Sequence, residues 1–294
     1  MNWPTWQQAL IASLASWLIA CGLKRWRSTA RSSVVIVPAA REFALIAALY
    51  SVWRIARKLP LAHDEGAMER AQRIVDLQAA LRMPSELELQ RWVADIDWLA
   101  QASSTAYAVM HVPGLIAFLI WLYWRHRERF PHVRNGLALV TAGCLVLRFV
   151  RVAPPRLMPD MGFVDLSAQH GFDLYGPVGT GVSDQFAAMP SIHVAWAAVV
   201  SYGIVAASTS TWRWLGLAHV AVTFFVVSAT GNHWWLDGIV AVAILAVGLW
   251  GDAALRSRRA RSSRRAHRAR TLGDSGDLSA QTPESSEVGA PIEG

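Results

Sequence analysis

Cysteine is nearly missing. Only Cys21 and Cys144 occur, in or at the end of apolar runs, so no disulfide framework is expected and both are read as free, buried thiols. Charge is also scarce at 17% of residues, against about 25% in ordinary soluble domains. The first positive cluster follows the first apolar run instead of preceding it, which argues against a secretory signal peptide. No folded nucleic-acid motif accompanies the net charge of +7 and the pI near 10.1. Eight of the 28 basic residues are arginines between Arg256 and Arg270, so the excess is partly a property of the tail. Such a block marks a cytoplasmic side and touches anionic headgroups; nucleic acid is not an expected partner. The HExxH zinc spacing is lacking too, and neither a metal nor a cofactor is expected.

What is abundant is apolar. Hydrophobic residues make up 53%, mean hydropathy is +0.27, and there are 15 tryptophans, an interfacial aromatic. This composition predicts an all-α, polytopic membrane helix bundle of about seven spans with amphipathic surface helices. The spans run from Trp6 to about Leu23, Val34 to Ala56, Trp98 to Trp124, Leu137 to Val152, Pro190 to Ala207, Trp212 to Ser228 and Trp235 to Trp250. In the second, Glu42 is read as contacting another helix and Arg41 as reaching toward the interface.

Residues 60–97 change character. Ile74, Leu77 and Leu81 recur at helical spacing among acidic and basic residues, and Pro84 separates two amphipathic segments that lie on the membrane surface or cap the bundle. Three regions follow: 1–33, an N-terminal span and basic loop; 34–251, a membrane-embedded domain that holds the polar stretches described next; and 252–294, a basic tail that turns polar and disordered past Arg270. Lys24 to Arg31, Arg125 to Arg134, Arg213 and the tail fall on one face. The positive-inside rule makes that face cytoplasmic, in a multi-pass protein of the cell membrane, although Arg54, Arg57 and Lys58 count against it.

With that topology three polar stretches emerge together on the opposite, extracytoplasmic face. One is TGNHWWLD, Thr230 to Asp237, where His233 and Asp237 stand four apart and share a face if a helix begins there. The pair is either a local hydrogen bond or an oriented base or nucleophile. The second is AAMPSIHVA, Ala187 to Ala195. Here Pro190 suits a first helical turn, the N–H groups after it suit an anion, and His193 projects beside them. The third, APPR, sets Arg156 at the mouth of the bundle, where a guanidinium can grip two phosphoryl oxygens. Together they read as a phosphate site.

PSIH followed by HWWLD, on adjacent spans, resembles the second and third signatures of the type 2 phosphatidic acid phosphatase superfamily. Within it, the chain from about Glu42 to Gly251 is most similar to the branch related to inositol phosphorylceramide synthases. The resemblance implies a six-helix core and a phosphohistidine mechanism without metal. His233 would attack phosphorus, Asp237 would hold its imidazole, and His193 would protonate the leaving oxygen. Arg156 and N–H groups near Ser191 would stabilise the transition state. The implied partners are the membrane, a lipid phosphate donor, and water or a polyol such as inositol as acceptor.

Two positions depart from the broader pattern. Its first signature has a lysine seven residues before an arginine, where this chain has Arg148 and Pro155. Its third has an arginine six residues before the histidine, where this chain has Val227. The inositol phosphorylceramide synthase branch also lacks that arginine. Arg148 and Arg151 either fill the gap at the phosphate or serve packing or lipid contact. Ser191 either caps its helix or binds phosphate, and Asn232 either caps the seventh span or contacts phosphate. His111 is either structural or a headgroup contact, His219 is structural, and Trp234 and Trp235 are interface anchors. A lipid-binding or transport protein is the alternative, against which stand the clustering of polar groups at one face and the lack of an inverted repeat.

Overall fold

The structure is a computed structural model that describes residues 4–25, 31–56, 65–172 and 185–279, with side chains placed as far as residue 262. The helices are α1 (Trp6–Arg25), α2 (Arg31–Ala56), α3 (Ala67–Ala80), α4 (Glu86–Ala94), α5 (Asp97–Val109) and α6 (His111–Arg125). After them come α7 (Phe130–Leu147), the short α8 (Leu166–Gln169), α9 (Ile192–Ala207), α10 (Gly216–Ala229) and α11 (Trp235–Ser279). Among the described residues five helices are long and apolar enough to cross a membrane: α1, α2, α7, α10 with the turn before it, and α11. The bent pair α5 and α6 makes a sixth, and α9 is a shorter apolar helix of 16 residues. The chain is therefore a polytopic helical bundle. Among the described residues the only β pairing is an isolated bridge between Val152 and Ala187.

α1 and α2 form an antiparallel pair stitched by Ser13 Oγ–H to the Ala44 carbonyl (2.7 Å) and Ser51 Oγ–H to the Trp6 carbonyl (3.1 Å). Their outer faces carry bare Ile11, Leu18, Val35 and Val52, as helices facing hydrocarbon do. Glu42 on α2 forms an ion pair with Arg134 on α7, which confirms its contact with another helix. The core joins α6, α7, α9 and α11 through Leu122, Val133, Val140, Val199 and Leu245. Small residues let these helices approach closely: a Cβ on Gly143 would lie 2.6 Å from Ile244, and one on Gly203 would lie 2.2 Å from Phe118.

Several boundaries differ from the sequence reading. α7 starts at Phe130, seven residues before Leu137, because its polar first turns are partnered: Arg134 by Glu42, and His132 by the Tyr202 hydroxyl at 3.0 Å. It ends at Leu147, and the backbone then extends into the Val152 bridge. The third span bends by 57° at Met110, where Pro113 in the first turn of α6 has no N–H to continue the ladder. α11 continues past Arg270 to Ser279; the arginine- and alanine-rich run favours helix as far as Arg270, and nothing in the following residues, with two glycines, explains the last two turns. Cys21 is half-buried, not buried. Arg57, Lys58, residues 173–184 of the long connection and residues 280–294 lie outside the described residues.

The chain divides into two compact units, Met1–Leu249 and Trp250–Gly294. The described residues of the second belong to the distal part of α11, where Arg256 Nε–H donates to Asp252 at 2.6 Å. Within the first, α3 buries Ala67, Ala71, Ile74 and Gln78, a stripe at helical spacing, while Leu77 is 50% exposed. α3 and α4 cap the bundle at the end where α10 gives way to α11.

Candidate active site

The α10–α11 connection is built from two helix caps back to back. α10 closes in a Schellman motif: Asn232 N–H donates to the Val227 carbonyl (3.0 Å) and Gly231 N–H to the Ser228 carbonyl (3.0 Å). Gly231 takes φ +71°, the left-handed conformation that this motif needs and that glycine adopts freely. A Cβ there would lie 2.7 Å from Gln90 Nε2 and 3.1 Å from the Val164 carbonyl. α11 then starts at Trp235, so His233 precedes the helix and does not share a helical face with Asp237.

Asp237 sits in the first turn of α11, and its Oδ2 accepts the Trp234 N–H at 2.8 Å, the return half of a capping box. The next two N–H groups are taken by the surface helices. Trp235 N–H donates to Glu86 Oε1 (2.9 Å) and Leu236 N–H to Gln78 Oε1 (3.0 Å), while Gln78 Nε2 also donates to Glu86 (2.7 Å). Burial on α4 raises the Glu86 carboxyl above its ordinary value, against the lowering effect of these hydrogen bonds. Trp234 is not an interface anchor. It is 1% exposed, packs edge-on to Phe163 and donates its indole N–H to the Ala153 carbonyl at 2.9 Å.

α9 begins two residues later than a proline at its first position would have it. Ser191 is the N-cap, with extended backbone and an Oγ that accepts the Val194 N–H at 3.3 Å, so Pro190, after a cis peptide bond, stands outside the helix. The Ser191 N–H donates to the Asp237 carbonyl at 3.1 Å, which ties the N-termini of α9 and α11 together.

That tie brings the two histidines together, rings edge-on: His193 Nδ1 lies 3.3 Å from His233 Nε2. His233 Nδ1 lies 2.8 Å from the Ala188 carbonyl and 3.4 Å from Asp237 Oδ2. A carbonyl only accepts, so this network assigns the proton to Nδ1 and leaves a lone pair on Nε2. The carboxylate of Asp237 is fully buried, and its Oδ1 has no hydrogen-bond partner. A neutral imidazole held in this tautomer beside a buried carboxylate can act as a base or nucleophile at Nε2. The ring of His193 contacts Tyr107 (4.7 Å between centroids) and His111 (4.8 Å). Among the described residues no three His, Cys, Asp or Glu side chains are placed to hold a metal ion.

Arg156 enters from the third stretch. It is buried, at 6% exposure, and not at an open mouth. Its N–H donates to the Gly231 carbonyl (2.8 Å), its Nε–H donates to Asn232 Oδ1 (3.1 Å), and Asp165 lies 3.6 Å away. Asn232 in turn donates to Thr230 Oγ1 at 2.9 Å, so it orients Arg156 instead of capping α11. The other two arginines make different contacts. Arg148 Nη1 donates to the Ala56 carbonyl at 3.0 Å, and the Arg151 guanidinium lies 5.5 Å over the Phe186 ring. The Val152–Ala187 bridge, through Val152 N–H to Phe186 (2.8 Å) and Ala188 N–H to Val152 (3.2 Å), fixes the Ala188 carbonyl that holds His233.

Sequence reasoning missed Ala188, Gln78, Gln90 and Glu86. A backbone carbonyl carries no sequence signal, but a glutamate and two glutamines on otherwise amphipathic helices did offer one. Gln90 bonds both the N–H and the carbonyl of Val164 and the carbonyl of Ala229, locking the Arg156 loop to the end of α10.

Helices that turn leucine and isoleucine outward and gather polar side chains at one end describe a polytopic membrane protein with a buried polar site. A family model described as the PAP2 superfamily matches residues 72–251, more than half of the chain, and the chain belongs to that superfamily. Membership makes it a phosphatase-type membrane enzyme. No curated protein and no solved structure matches it.

Proposed function

We propose that the protein is an integral membrane lipid-phosphate phosphatase or phosphotransferase that works through a phosphohistidine at His233. The observation that carries this is the His233 Nε2 lone pair, aimed at His193 while Nδ1 is held by Ala188 and Asp237. A phosphoryl group entering between the two ring nitrogens replaces their contact. Nε2 then attacks phosphorus, and the imidazolium that forms is stabilised by Asp237. His193 gives its proton to the leaving oxygen, then takes one from the incoming water or alcohol. Arg156, oriented by Asn232, and the N-terminus of α9 at Ser191 stabilise the equatorial oxygens, where such groups contribute roughly 3 to 4 kcal/mol each.

The donor in this reading is a phospholipid or polyprenyl (di)phosphate, and the acceptor is water or a polyol such as inositol. The absence of an arginine at Val227 favours the branch resembling inositol phosphorylceramide synthases. The distribution of basic residues supports an extracytoplasmic site and a cytoplasmic tail in the cell membrane. The test is brief exposure of purified protein to lipid phosphates, mass spectrometry for phosphate on His233, and product analysis with water or inositol. Turnover that His233→Ala abolishes supports the proposal. Binding of lipid phosphate without turnover would replace it with a lipid-binding or transport role.

A further inference from the structure

His111 is the first residue of α6, at the 57° break from α5. It is 7% exposed, and both ring nitrogens are buried without a hydrogen-bond partner. The Ala106 carbonyl is close, but no hydrogen-bond geometry to the ring is met, and that carbonyl already accepts the Met110 N–H at 3.1 Å. A neutral imidazole has one donor and one acceptor, and leaving both buried and unpaired is costly unless something other than the protein completes them. The ring stands edge-on to His193, 4.8 Å between centroids.

Directly below it on the same face of α6, three residues on, a groove of about 660 Å³ begins at Gly114. It continues along α6 to Trp121, with Val200 and Ile204 of α9 and His219 of α10 opposite, and its lining is mostly apolar. A Cβ added at Gly114 meets nothing within 4 Å. From His111 to Trp121 is ten residues, about 15 Å of helix. The groove thus runs along the helix axis away from the paired histidines, as the chain of a membrane lipid runs from its headgroup.

We infer that His111 and this groove form the subsite for the lipid alcohol of the substrate: the oxygen that leaves phosphorus lies beside the touching rings of His193 and His111, within reach of both, and its hydrocarbon chain follows α6 from Gly114 to Trp121. The inference rests on the phosphohistidine reading for its chemistry. As the His233 Nε2–P bond forms, the P–O bond to the lipid breaks and the oxygen takes the proton of His193. His111 donates a hydrogen bond to that oxygen and keeps its own proton.

The test uses the full chain in detergent micelles, carrying His233→Ala so that binding is read without turnover. The probe is hexadecyl phosphate with a diazirine near the end of its chain, and cross-links are mapped by mass spectrometry. The expected result is labelling of the Gly114–Trp121 segment that excess dioleoyl phosphatidate reduces at least tenfold, and that Gly114→Trp reduces at least fivefold. Labelling that is spread over the outer faces of α1 and α2 without competition, or groove labelling indifferent to Gly114→Trp, overturns the inference. On the active protein, His111→Ala should lower kcat about 30-fold with dioleoyl phosphatidate, with partial rescue by His111→Asn; full activity in His111→Ala would overturn the role of the ring. Because the cross-linking needs no turnover, a missing phosphohistidine would sink the mechanism and leave the subsite standing.

Discussion

Replacing Asp237 with asparagine separates the two tasks that a carboxylate beside a reactive imidazole can perform, fixing its tautomer and stabilising its positive charge. Here the tautomer has a second anchor, because His233 Nδ1 is closer to the Ala188 carbonyl (2.8 Å) than to Asp237 Oδ2 (3.4 Å). The charge has no such substitute. Phosphorylation at Nε2 makes the ring cationic, and a unit charge at 3.4 Å is worth about 5 kcal/mol at an effective dielectric near 20. The amide oxygen of asparagine still accepts the Trp234 N–H and its dipole recovers part of that attraction, which leaves a loss of about 2–4 kcal/mol. The expected fall in kcat is therefore about 30- to 1000-fold. Where an aspartate alone sets the tautomer of a catalytic histidine, the same change costs about 10⁴. The assay is steady-state turnover of a lipid phosphate in micelles, with a thermal melt to show that the fold persists. The new amide N–H₂ would replace the unpartnered Oδ1, so some loss of stability, about 1–3 kcal/mol, accompanies the substitution. A fall of 10⁴ or more in a folded variant would refute the role given to Ala188, and an unchanged kcat would refute the role given to the charge.

Two further outcomes follow from the same end of the bundle. Burial raises the Glu86 carboxyl, so the folded protein holds a proton that the unfolded chain has already released between the ordinary value of 4.5 and the raised one. Stability from this group is thus present at low pH and lost as pH rises through that window. The difference in melting temperature between wild type and Glu86→Gln should move in favour of wild type as pH falls from neutrality toward 4.5, and a pH-independent difference would count against the buried carboxyl. Gly231→Ala meets both the left-handed φ of +71° and the 2.7 Å approach to Gln90 Nε2. Strain of this backbone kind costs about 1–2 kcal/mol before the clash is counted, so a melting temperature within about a degree of wild type would refute the Schellman assignment.

The meeting of His193 with His233 was legible because adjacent apolar spans of similar length return the chain to the same end of a bundle, so two motifs at those ends must meet. That Arg156 lies at the same end, against Gly231 and Asn232, was legible for the same reason. The parts that were not legible are those where tertiary contacts override a local rule. Pro190 carries a first-turn signal, but Ser191 is the better cap and moves the helix start. His132 and Arg134 read as loop until Tyr202 and Glu42 partner them inside α7. Leu77 reads as part of a buried stripe, yet the stripe that packs is Ala67, Ala71, Ile74 and Gln78, because small side chains and an amide are what the cap of α11 requires.

The cap of α11 also decides on which side an anion fits. Two helix N-termini meet at this site, joined by the Ser191 N–H to Asp237 carbonyl bond, and each carries the partial positive charge of its free N–H groups. At α11 the N–H groups of Trp234, Trp235 and Leu236 are already taken by Asp237, Glu86 and Gln78, two of them carboxylate-bearing residues. A phosphate approaching there meets occupied donors and negative charge. At α9 the cap is a neutral serine, and Arg156 stands nearby through Gly231 and Asn232, which adjoin His233. In the proposed reaction a phosphate approaching there meets a helix N-terminus and the Arg156 guanidinium, which Asp165 pairs in part at 3.6 Å. On that reading the surface helices α3 and α4 do more than cover the bundle: by saturating one helix terminus with their own acceptors they leave the other as the seat for the phosphoryl group, beside His233 Nε2.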